Sequence, residues 1–400
     1  ASSSNQVVYN FSAGPANIPS CVLKKVQAEL LDYKGTGCSI LELSHRSELY
    51  YSINDSAQQA IRDLLDLPDD YCVLFTSGGC TLQFSATVLN LIGDNNNDDD
   101  PRGRKSRPQY IVSGLWSQKA HKEALRYCDA QILWEGGKGF IENEPLSADA
   151  IDALAKEKGL TAENTPFIYF CENETVNGIE FPAHYLQKLY QRTGIPVVVD
   201  MCSNFVSRPQ NIPASCSAVV VGAQKNCGPA GTTIVVVSKK LLEKRKPHPD
   251  IPTTVDWRVI DAANSIYNTP PTFPIYVVKY VMEWLRDEIG GVEKIGKINQ
   301  QKADLLYKTI DDSKIYKPLI KNSDFRSRMN VVFKILADGV PCQKLTDDFI
   351  KTAHEHNLKF LNGHKTVGGI RASIYNSMPL AGVESLVAFM KEFEKKVTSS

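Results

Sequence analysis

Residues Ser217–Ser238 read SAVVVGAQKNCGPAGTTIVVVS. Two apolar runs, Ala218–Gly222 and Thr232–Val237, flank a lysine and a knot of glycine and proline. Valine runs bounded by polar residues mark buried strands, and an ammonium is among the side chains least suited to a core. Lys225 therefore needs a reason to stand where the chain leaves a strand.

The same pattern recurs outward from this stretch. YCVLFTSGG (Tyr71–Gly79) predicts a strand, and TLQFSATVLNLIG (Thr81–Gly93) predicts the helix after it. QYIVSG then precedes the amphipathic SQKAHKEALRYC, and PFIYFCENE and IPVVVDMCS are further apolar runs. Near-continuous β-branched runs predict strands buried on both faces, hence an α/β fold with a mainly parallel sheet covered by helices. After NTPPTF the pattern changes. Residues 275–311 predict two long amphipathic helices parted by Gly290–Gly291. A strand alternation (SRMNVVFKIL), a helix over Cys342–His356, GIRASIYN and a last helix to Val397 follow. This is a smaller α+β unit, joined by the N-terminal segment.

Composition narrows the function. Four hundred residues suffice for two domains. The 45 basic and 45 acidic residues cancel, which argues against a general polyanion binder. The acidic and basic stretch GDNNNDDDPRGRKSRP (Gly93–Pro108) predicts a solvated loop whose aspartates repel phosphate. No apolar run approaches the ~18 residues of a membrane span, and the first residues lack the pattern of a secretion signal. The ten cysteines contain no C-x-x-C pair and read as reduced thiols in a reducing compartment. The close histidines His354 and His356 face different sides of a helix. A cytoplasmic chain without a metal site is the expectation.

Ligands of open parallel sheets collect beyond the carboxyl ends of the strands. TSGGCT (Thr76–Thr81) sits there and opens a helix, so its backbone N–H groups and hydroxyls could cradle a phosphate. It is neither a Walker loop nor G-x-G-x-x-G, which counts against nucleotides. Taken singly, Trp116 at the end of the next strand reads as core, and Thr175 in CENETVNG reads as a turn cap. Asp200 and Lys225 taken singly read as strand-end charges. Together they fit one chemistry. A lysine amine forms a Schiff base with an aldehyde cofactor, while a carboxylate keeps a pyridine nitrogen protonated. The protonated ring withdraws electrons from the carbanion left when an amino acid loses its Cα proton.

The motifs FSAGPA, SHRS, CENETVNG, VVVDMCSNF, GAQKNCGPAG, YNTPPTF and GIRASIYN run in order from Phe11 to Asn376. Together they resemble the phosphoserine aminotransferase family, in the class V branch of fold-type-I pyridoxal-phosphate enzymes. The resemblance implies a large domain with a seven-stranded-type sheet at 18–295 and a small domain from 1–17 and 296–400. It implies pyridoxal 5'-phosphate as cofactor and a homodimer as the working unit, with no nucleic-acid or membrane partner. Lys225 and Asp200 become the catalytic pair, with Lys225 carrying the Schiff base and acting as base. Trp116 would stack on the ring, Thr175 would bond a ring oxygen, and Gln224, Cys80 and Thr81 would hold the phosphate. Asn268 and Thr269 would reach the neighbouring subunit's phosphate. Arg371 would clamp the substrate α-carboxylate, and His45, Arg46, His364 and Lys365 would form the pocket for the distal phosphate or carboxylate.

The implied reaction is reversible ping-pong transamination in serine biosynthesis. L-Glutamate and 3-phosphohydroxypyruvate would give 2-oxoglutarate and O-phospho-L-serine. Two departures from the family pattern stand out: Cys80 and Leu82 where glycines are common, and Lys365 where an arginine is common. Lysine keeps the charge but loses the planar fork, which predicts weaker or differently oriented phosphate binding. A cysteine desulfurase needs a cysteine on a mobile loop of the small domain; Cys342 is the one candidate, and it stands at a helix start.

Overall fold

The computed structural model describes residues 7–93, 104–137 and 145–399. Most of the loop expected at 93–108 lies outside the described residues. Seven strands build the central sheet: β1 (Tyr71–Thr76), β2 (Gln109–Val112), β3 (Gln131–Glu135), β4 (Ile168–Cys171), β5 (Val197–Asp200), β6 (Ala218–Gly222) and β7 (Thr233–Ser238). Their order is β1-β7-β6-β5-β4-β2-β3. The pairs from β6 to β3 are parallel. β7 runs antiparallel to both β1 and β6, because the short connection 223–232 has no room for a crossover helix.

Every residue of β1, β2, β4, β5, β6 and β7 is buried. Alternate side chains pack into two cores. Val73, Ile111, Phe170, Val199, Val219 and Val236 join one face. Leu74, Tyr110, Tyr169, Val198, Val220 and Val235 join the other. Helices cover both faces, which explains why the strands read as runs rather than alternations. β3 escaped the sequence reading. It is a half-exposed edge strand, and its apolar stretch Ile132–Trp134 is only three residues long between polar ends.

A further apolar core gathers Phe11, Leu306, Ile310, Val331, Phe333, Phe349, Ile370 and Phe389. The strand Asn330–Ala337 supplies its floor, antiparallel to Ile370–Ser373 and Tyr316–Pro318. The N-terminal segment enters through Tyr9–Asn10, parallel to Leu358–Lys359. The helix Thr272–Glu283 runs into a π-helical turn, Trp284–Ile289, and stops at Gly290 with φ 89°. The helix Val292–Asp311 follows, matching the expected pair around the two glycines. Among the described residues no helix is long and apolar enough to cross a membrane.

Candidate active site

β5 and β6 are parallel neighbours, with Asp200 in register with Val220. Asp200 closes β5, and Lys225 stands in the turn just beyond β6. Both line one cavity of about 320 Å³ at the carboxyl ends of the strands. Cys80, Thr81, Trp116 and Thr175 line it from the β1, β2 and β4 side; Gln224, His364 and Arg371 complete the wall. Nine residues predicted from distant parts of the sequence thus meet in one place.

The helix Gly79–Leu91 opens on this cavity. Gly78 and Gly79 have φ of 89° and 66°, a left-handed turn that a side chain strains and that leaves the first helical N–H groups free. Trp116 lies one strand further along. It sits in the first turn of the helix Leu115–Ala124 rather than at the end of β2, as the sequence suggested. β2 ends at Val112, and Gly114 caps the helix at a point where a Cβ would run into the Glu174 side chain.

Glu174 organises this corner, and the sequence reading gave it no role. Its carboxylate accepts the Trp116 N–H at 3.1 Å, the Ser117 N–H at 2.8 Å and the Ser117 hydroxyl at 2.7 Å. An anion at a helix N-terminus satisfies groups that have no intrahelical partner. The Trp116 Nε1–H donates to Thr175 Oγ1 at 2.8 Å, fixing the indole plane. Thr175 is thus more than a turn cap. Its carbonyl also accepts from Arg371 Nη1 at 3.2 Å.

Burial sets the electrostatics. Desolvation lowers the Lys225 pKa, and the charge of Arg371 lowers it further; Asp200 and Glu174 pull the other way. Desolvation raises the Asp200 pKa, against hydrogen bonds from the Cys202 N–H at 2.9 Å and the Tyr169 hydroxyl at 3.3 Å. An amine with a lowered pKa is one that can be neutral and nucleophilic near neutral pH. Lys225 Nζ lies 5.9 Å from the centroid of the Trp116 ring, and Lys119 Nζ lies 4.6 Å from it. Burial and the charges of Arg371, Lys365 and Lys119 all lower the pKa of His364. This rim is cationic and suits an anion.

Five predicted residues are not among those lining the cavity. Lys365 is exposed, although its charge reaches His364. His45 is half-exposed and Arg46 exposed, ahead of the helix Glu48–Leu65. Asn268 and Thr269 are exposed, and Asn268 borders a separate hollow with Thr76, Ser77 and Tyr267. The cysteines bring a correction. Cys80 and Cys202 are joined by a disulfide at the cavity wall, so the chain is not wholly reduced. Cys342 immediately precedes the helix Gln343–Glu355, not on a mobile loop.

A buried amine, a buried acid, an aromatic face and a glycine turn at a helix start suit an aldehyde-bearing pyridine phosphate. Comparison with known proteins agrees. Residues 8–386 match the model of the family described as Aminotransferase class-V. A phosphoserine aminotransferase of Rhodopirellula baltica is 41% identical, with 97% of this chain and 96% of that one aligned. The solved phosphoserine aminotransferase from Bacillus circulans subsp. alkalophilus superposes with a TM-score of 0.86 at 33% identity, covering 98% and 99% of the two chains. A PLP-bound phosphoserine aminotransferase from Trichomonas vaginalis gives 0.82 at 34%, covering 96% and 100%. The chain belongs to the class-V aminotransferases. Within that class it falls with the phosphoserine aminotransferases.

Proposed function

We infer that this chain is a pyridoxal-phosphate-dependent aminotransferase that exchanges an amino group between L-glutamate and 3-phosphohydroxypyruvate. The products are 2-oxoglutarate and O-phospho-L-serine, so its place is in serine biosynthesis. The observation that carries the reading is the convergence of Lys225, Asp200 and Arg371 on one cavity. Bound pyridoxal phosphate supplies an aldehyde that takes up the amino group and a protonated ring that withdraws electrons.

The chain's own residues then have separable tasks. Lys225 would hold the aldehyde and, once freed, move the proton at the substrate Cα; its burial disfavours the ammonium, while the charges of Asp200 and Glu174 keep the amine basic. Asp200 would pair with the ring nitrogen and favour its protonated form. Trp116 offers its face to the ring, while Thr175, already fixed by the indole N–H, offers a hydroxyl. Gln224 and the turn at Cys80 and Thr81 take the phosphate. Arg371 clamps the α-carboxylate with two parallel N–H groups. His364 and Lys365 add positive charge for the substrate's distal anion.

His45, Arg46, Asn268 and Thr269 are assigned to a homodimer. Their exposure on the single chain leaves them available to a second copy, whose site they would complete. The chain is divided into a large domain over 18–295 and a small one made of 1–17 and 296–400, which supplies Arg371 and His364. A cytoplasmic location is part of the same proposal. The test is a steady-state assay of O-phosphoserine formation from glutamate and 3-phosphohydroxypyruvate, with cysteine and alanine as alternative donors. Formation of phosphoserine with glutamate alone as efficient donor is expected; preference for cysteine, with sulfur release, would overturn the assignment.

A further inference from the structure

Cys80 and Cys202 stand 122 residues apart in the chain, yet their sulfurs are bonded at the wall of the cavity. Several other cysteines are buried away from such chemistry. Burial pushes the thiols of Cys72 and Cys128 up to about 12, which suppresses the thiolate. Cys80 differs. It is half-exposed in the first turn of the helix Gly79–Leu91, among N–H groups that have no intrahelical partner. Cys202 is buried two residues past Asp200, and its sulfur accepts the Gly222 N–H at 3.2 Å. A reachable thiol at a helix start, with a second thiol in bonding distance, is how reversible oxidation sites are built.

We propose that Cys80 and Cys202 form a dithiol site oxidised by hydroperoxides, and that closing the bond restrains the phosphate-cradling turn and so weakens cofactor binding. The Cys80 thiolate attacks one peroxide oxygen, the O–O bond breaks, and the other oxygen leaves as an alcohol, or as water from hydrogen peroxide. The Cys202 sulfur then displaces hydroxide from the sulfenic Cys80, and this leaves as water with the Cys202 proton. Two electrons pass from the sulfurs to the peroxide. A dithiol reductant reverses the step by exchange and becomes a disulfide itself.

The effect on the cofactor follows from space, and it rests on the reading of the cavity given above. Both sulfurs and an Asp200 carboxylate oxygen lie within 4.8 Å of one another. A group held against Asp200 shares that space with two bulky sulfurs locked together. The bond also ties the phosphate-cradling turn to the end of β5, which restrains the turn from adjusting to an anion. By linkage, the factor by which the bond weakens cofactor binding is the factor by which bound cofactor opposes the bond.

The test uses the full chain stripped of cofactor, in reduced and hydrogen-peroxide-treated samples. Alkylation and peptide mass spectrometry detect the Cys80–Cys202 link, and pyridoxal phosphate is titrated by absorbance. We expect the linked peptide, at least tenfold weaker cofactor binding in the oxidised sample, recovery with dithiothreitol, and at least tenfold slower linking when cofactor is bound first. Cys202→Ser should show the same affinity before and after peroxide. Absence of the linked peptide overturns the proposal while cofactor binding in the same samples leaves the enzyme reading intact. A linked protein that binds cofactor as tightly as the reduced one also overturns it. Failure of the reduced protein to bind pyridoxal phosphate overturns the enzyme reading and the proposal with it.

Discussion

Asp200 and Lys225 leave neighbouring parallel strands and turn into one cavity, an acid and an amine that burial perturbs in opposite directions. Lys225→Ala should abolish the visible absorbance of lysine-linked cofactor and lower turnover by roughly 10³-fold or more. Asp200→Asn should keep the cofactor yet slow proton abstraction by about 10²-fold, read as an enlarged kinetic isotope effect with Cα-deuterated glutamate. An unchanged rate would make Asp200 a structural residue.

Arg371 is held by the Thr175 carbonyl with its remaining N–H groups free to meet a carboxylate. Arg371→Lys retains charge and loses the fork. The expected result is a rise in KM of about tenfold for glutamate and phosphoserine alike, about 1.4 kcal/mol, because both present an α-carboxylate. A change confined to one substrate would place Arg371 at the distal end instead.

Glu174 carries the helix that bears Trp116, and burial pushes its pKa up to about 7. Its folded pKa lies above the ordinary value of 4.5. Its contribution to stability is therefore full below pH 4.5 and is lost as pH rises through about 7. Glu174→Gln should flatten that slope and remove any change in Trp116 fluorescence over this range in cofactor-free protein, with Trp116→Phe as control. The same titration in Glu174→Gln would assign the proton to another group.

Arg208 is buried beside two buried carboxylates, 3.0 Å from Glu180 and 3.5 Å from Glu172. Arg208→Met leaves Glu172 without a cationic partner and Glu180 with only Arg328 at 3.4 Å, a loss of about 3–5 kcal/mol. Desolvation already raises both carboxyl pKa values, and removing Arg208 raises them more. The variant should therefore recover part of its stability as pH falls and the acids protonate. Thermal melts between pH 5 and pH 8 read this directly; a constant deficit would mean the acids stay ionised.

Arg46 and Lys225 should complement across an interface. In a dimer whose sites each take Arg46 from the other subunit, mixed Lys225→Ala and Arg46→Ala chains rebuild one intact site per heterodimer. After statistical reassortment about a quarter of wild-type activity should return. No recovery, with exchange verified by mass, would place Arg46 in its own chain's site.

Much of this arrangement was legible because the chemistry sits at the ends of strands with strong sequence signals. The valine runs before Asp200 and Lys225 fixed the two strands, and strand polarity then brought both residues to one edge. Other features left no local trace. β3 is an edge whose apolar stretch, Ile132–Trp134, is too short to stand out. The reversal of β7 depends on the length of a turn, not on the residues of the strand. Glu174 was visible only as part of a motif, since its value lies in three hydrogen bonds to a helix start some 57 residues earlier in the chain. The approach of Cys80 to Cys202 across 122 residues is likewise a product of packing.

The most direct test is a half-reaction. Cofactor-loaded protein is mixed with glutamate and no oxo acid, then with 3-phosphohydroxypyruvate. One 2-oxoglutarate per chain should appear as the visible absorbance of the lysine-linked cofactor disappears, and one phosphoserine should form as that absorbance returns. Release of 2-oxoglutarate only when both substrates are present together would contradict the reading.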